Sequence, residues 1–135
     1  MNVDEVAAEL GAALDTIPDL NVPEWGVQRV SPPFAVVPLP ERVDYDDTYQ
    51  RGTDRIEDWP VMVLVPHPTK PEARRAIAPY ADGSGAQSVK AAVEAYAFTA
   101  CTTPRVEWSE FDVVSFAGTD YLAAIFHLNI KGPGS

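Results

Sequence analysis

The chain has 135 residues, 46% of them hydrophobic and 22% charged, with a formal net charge of −10. That length suits a single core. The charge excludes the backbone-neutralising mode of nucleic-acid binding, which needs a stripe of Lys and Arg rather than ten scattered basic residues. No apolar run is long enough to span a bilayer as a helix, and Asp4 and Glu5 stand where a signal peptide carries basic residues, so the sequence predicts a cytosolic protein with no membrane partner.

In chain order, Val3, Val6, Ala7, Leu10, Ala13, Leu14 and Ile17 share one helical face, and Asn2 with Glu5 has the spacing of a reciprocal N-cap. This predicts an amphipathic helix over 2–17, ended by Pro18. Residues 21–30 read as a short strand or extended loop, with Trp25 over the edge of the core. Pro32 and Pro33 make a stiff corner, with a cis bond open at either, before the short strand Phe34 to Val37. A charged arm runs from Glu41 to Asp54, and Ile56 to Val65 is a strand whose apolar run predicts burial on both faces.

Thr69 and Glu72 have capping-box spacing around Pro71 and open a helix to about Tyr80. A second helix is expected over 88–98, after the break at Asp82 to Gly85. Arg105 to Phe116 and Tyr121 to Ile130 read as a hairpin around Ala117 to Asp120. Leu122, Ala124, Phe126, Leu128 and Ile130 fall on one face. Val106, Trp108, Val114 and Phe116 are expected to share a face of the partner strand, interrupted by Glu110 and Asp112. The order predicts a single α+β domain over 1–131, an antiparallel or mixed β-sheet with helices packed on one face. Residues 132–135 are read as a flexible tail or cloning remnant.

Catalytic signatures are weak. Cys101 is the lone cysteine, read as a small buried hydrophobe, and His67 and His127 lack metal-ligand spacing. There is no nucleophile elbow, and the turn at Asp82 to Gly85 lacks the Gly-Lys ending of a phosphate loop. The acidic pairs Asp46-Asp47 and Glu57-Asp58 lack calcium-loop spacing. The expectation is therefore a protein that is not an enzyme and holds no metal or cofactor. The arm carries the chemistry instead: Tyr45, Tyr49 and Trp59 are amphipathic anchors, and Arg51 and Arg55 can pair bidentately with carboxylates. With Asp46, Asp47 and Asp54, these form the predicted subunit or tube interface.

The phrases Val3 to Ala8, Ser31 to Val37, Tyr45 through Arg51 to Arg55, Pro60 to Val65, Asp82 to Gly85 and Gly118 to Ala124 together resemble the tail terminator proteins of long-tailed (siphovirus-type) bacteriophages, in particular those infecting actinobacteria. The resemblance implies a virion structural protein. It would form a hexameric ring of self-contacts on the head-proximal end of the tail tube, halt polymerisation of the tail tube protein, and offer a surface to the head-tail connector or neck. DNA would pass through the acidic lumen without specific binding. The host cytoplasm would be the site of assembly. The alternatives are another neck component, such as a head-completion or connector-binding protein, and a small cytosolic enzyme.

Overall fold

Asn2 caps the first helix as its spacing predicts, its Oδ1 accepting the N–H groups of Asp4 and Glu5 at 3.0 and 3.2 Å. A computed structural model describes residues 1–23, 32–45 and 52–134. Helix α1 spans Val3–Asp15 and buries Val6, Leu10, Ala13 and Leu14. Strand β1 is Phe34–Val36, β2 Thr53–Pro66, β3 Arg105–Phe116 and β4 Thr119–Pro133. Helix α2 is Pro71–Ile77, continued by a 3₁₀ turn over Ala78–Ala81, and α3 is Val89–Ala95. The expected α+β domain is what forms, with a four-stranded, fully antiparallel sheet in the order β1-β2-β4-β3. The three helices pack on one face of it, where Val6, Leu10, Ile77, Val89 and Val93 meet Trp59, Val61, Val63, Phe126 and Leu128.

Several limits differ from the sequence expectation. Helix α2 begins after Lys70, whose side chain makes no capping bond, so Thr69 is not the cap. Helix α3 is shorter than predicted, and Ser88 is its cap, Oγ accepting Ala91 N–H at 3.1 Å. The hairpin turn is tighter: Ala117 and Gly118 both have positive φ, 51° and 82°, which matches a two-residue turn that follows the strand twist. Strand β4 does not stop at Ile130. Gly132 pairs with Asp54 and Pro133 with Thr53, so residues 132 and 133 belong to the sheet rather than to a loose tail. The Pro32-Pro33 bond is cis. Asn21 bridges to Phe34, while Trp25 lies outside the described residues.

The register shifts matter most for function. Strand β2 carries one extra residue against β4 between Ile56 and Trp59, and β3 carries one between Val106 and Trp108. Each bulge reverses the alternation beyond it. Ile56 and Trp59 thus both face the helices, and Val106 does so too, whereas Trp108, Val114 and Phe116 face the opposite side. The expected single face for those four β3 residues is therefore split by the bulge.

Glu9 ties α1 to the loop before β3. Its carboxylate accepts the N–H groups of Thr99 and Ala100 at 2.8 and 2.7 Å and the Thr99 hydroxyl at 3.0 Å. Desolvation pushes the carboxyl pKa up, but these hydrogen bonds together outweigh it and hold the group below the ordinary glutamate value. Because the folded value is depressed, the stabilisation is complete above the unfolded pKa and is lost as pH falls through the folded one. Glu9→Gln should cost about 1 kcal/mol at neutral pH after allowing for solvent screening, with the gap to wild type closing under acid. Urea midpoints across pH check this; a gap that stays constant into acid contradicts it.

Candidate functional site

The predicted interface residues separate in the structure. Tyr45 is 76% exposed, as an anchor for a partner requires. Trp59 is fully buried, its Nε1–H donating to the Pro38 carbonyl at 2.8 Å, because the β2 bulge turns it into the core; it is a packing residue of this domain, not an exposed anchor. Asp54 is also buried and accepts from the amino group of Met1 at 2.8 Å. Arg55 lies within β2 and exchanges backbone hydrogen bonds with Asp44. The arm thus shrinks from its C-terminal end, since Thr53 to Arg55 are strand. Asp46, Asp47, Tyr49 and Arg51 lie outside the described residues.

The helix-free face of the sheet has two parts. At one end Phe34, Leu64 and Ala123 are buried beneath Val36, Met62, Phe116, Tyr121 and Ile125, with Phe34 packed 5.3 Å from the Phe116 ring and 5.2 Å from that of Tyr121. At the other end sits His127, which the sequence treats as an ordinary strand residue. The two bulges flank it on either side and bring three partners to it. Asp58 Oδ1 lies 2.6 Å from Nδ1, Glu110 Oε1 lies 3.4 Å from Nε2 without hydrogen-bond geometry, and the Trp108 indole stacks on the ring at 3.8 Å between centroids. No local pattern reveals this cluster, since its residues come from three strands and meet only through the bulges.

Among the described residues no strand pairs with the outer side of β3, which leaves it an open edge of the sheet, and Trp108, Phe111 and Val113 on it are each more than half exposed. The first lies on the helix-free face. Phe111 and Val113 lie on the helix-side face, opposite Ala124 and Leu122, beyond the helices' cover. A twelve-residue edge strand with large apolar groups is a template for another chain unless something blocks it. Its blocking devices are local. Glu94, held by Lys90, accepts Val106 N–H at 3.1 Å, and Asp112 Oδ1 accepts the N–H of its neighbour Val113 at 2.8 Å.

No protein-family model matches this chain, and no curated protein is significantly similar to it.

Among the described residues the remaining titratable groups do not converge on a catalytic arrangement. Among the described residues no group of His, Cys, Asp and Glu is placed to hold a metal ion. His67 is an exposed loop residue with φ of 58°, its carbonyl accepting from Lys70. An open depression of about 310 Å³ is bordered by Asp19, Val65, Arg75, Tyr80 and Gln87, and burial, with the Asp19 charge, raises the Tyr80 pKa. Cys101 is buried as expected, and desolvation followed by the Glu9 charge pushes its thiol up to about 11 from 9.0. At pH 8 alkylation by iodoacetamide should therefore run roughly a hundredfold slower in the native chain than in urea. Equal rates would show that the site is open.

Proposed function

We propose that this chain is a phage structural protein that caps the head-proximal end of the tail tube as a ring, stops tube polymerisation and presents a surface for head attachment. The open, partly apolar edge of β3 is the structural observation that carries the assembly part of this reading; the tail end itself is carried by the sequence phrases shared with tail terminators. A closed ring of identical subunits needs two different surfaces that complement each other, and a sheet with helices on one face, none among the described residues on the other, and β3 at its edge offers unlike surfaces. A net charge of −10 suits a lumen through which DNA must slide, because like charge keeps the duplex from adhering. Tyr45 in the arm is exposed and available to a neighbour.

The test is polymerisation of tail tube protein from the same genome, followed by light scattering. Substoichiometric chain should arrest growth at a length set by the molar ratio. Unarrested growth would move the reading to another neck component.

One observation favours an enzyme instead: Asp58 and His127 are paired as in an acid-base dyad. Its far nitrogen, however, is buried and faces a second carboxylate, under the Trp108 ring, rather than an open cleft. The dyad is better explained as the tie that fastens β3 and the β2 bulge to β4. On the proposed reading His127→Ala leaves tube arrest intact.

A further inference from the structure

We infer that the open edge of β3 receives an extended segment of another protein in which Lys or Arg alternates with apolar residues. The inference does not depend on the tail-end reading. Its starting point is which backbone groups are free. Val113 N–H is taken by the Asp112 side chain rather than by β4, so it points off the ladder, and alternation then places the N–H and C=O groups of Ser109, Phe111 and Ser115 on the same open side. A strand added there would form main-chain bonds to these residues.

Side chains specify what that strand must carry. On the helix-side face the incoming residues would lie beside Phe111 and Val113, both exposed, which favours apolar groups. On the opposite face they would lie beside Glu110 and Asp112, which favours Lys or Arg. A basic residue there would also draw Asp112 away from Val113 N–H and release that donor for pairing. The same charges disfavour a second copy of β3 as the occupant. Antiparallel self-pairing would bring together Glu107, Glu110 and Asp112 of both strands, with Arg105 the only basic residue that each β3 contributes.

The experiment uses the full chain and a short fluorescein-labelled peptide of alternating Lys and Val, read by anisotropy. Two controls have the same charge: a peptide with the Lys and Val in separate blocks, and the alternating peptide N-methylated on one edge. The alternating peptide should bind at least roughly tenfold more tightly than either, and should slow hydrogen exchange at Ser109 and Phe111. Glu110→Lys with Asp112→Lys should lose that preference. If this variant is misfolded by circular dichroism, Glu110→Gln with Asp112→Asn is used, and should weaken binding in the same direction. Equal binding of the three peptides, or none by any, overturns the inference. So does a concentration-dependent dimer in sedimentation that Phe111→Glu abolishes, since the edge would then belong to a second copy.

Discussion

Truncating Trp59 to alanine will lower the unfolding free energy of the chain by about 3–5 kcal/mol, the range for removing a large aromatic side chain from a packed core. Its side chain is fully enclosed between the sheet and the helices, and its indole N–H is spent on the Pro38 carbonyl. The alanine variant leaves both a cavity and an acceptor without its donor. Trp59→Phe keeps most of the volume and should lose far less. The measurement is a denaturant midpoint on purified subunit. A variant that keeps its midpoint but no longer assembles would return Trp59 to the interface role that its chemistry suggests in sequence.

Leu64→Ala should cost about 2–5 kcal/mol although no helix among the described residues covers its face. Leu64 is fully buried between Phe34 and Ala123 in neighbouring strands, under the aromatic group of Phe34, Phe116 and Tyr121. The sequence expectation that β2 is buried on both faces holds here for that reason, with Val61, Val63 and Val65 against the helices and Leu64 behind. A loss well under 1 kcal/mol would mean that this end of the sheet is solvated in solution.

Where local chemistry decides structure, the sequence could be read directly. Asn2 at the start of α1 follows from capping, the Leu122 to Ile130 face of β4 from unbroken alternation, and the limits of β3 from the hairpin turn that ends it, although the bulge inside β3 leaves no local mark. Thr53 to Arg55 misled because charged residues in a strand look like loop, yet the backbone of Arg55 bonds to Asp44 and that of Asp54 lies beside Gly132. Trp59 misled for a related reason. An amphipathic ring suits an interface and a core equally, and only the bulge after Ile56 decides its direction. The His127 cluster depends on two bulges and on contacts across residues 58, 108, 110 and 127, so nothing within one window of sequence shows it. The open edge of β3 could not be read either, because strand order is a property of the whole sheet.

Changes in the core and changes on the proposed assembly surface should cause different losses. Core substitutions at Trp59 or Leu64 should lower the denaturant midpoint and, on the proposed reading, weaken tube capping with it. Changes on β3 or at Tyr45 should act on assembly while the denaturant midpoint stays near wild type.

The most direct measurement mixes the purified chain with preassembled tail tubes of the same genome and examines their ends by negative-stain electron microscopy. A ring should sit on one end only, with no further elongation when fresh tube protein is added. Bare ends that keep growing would contradict the proposed reading.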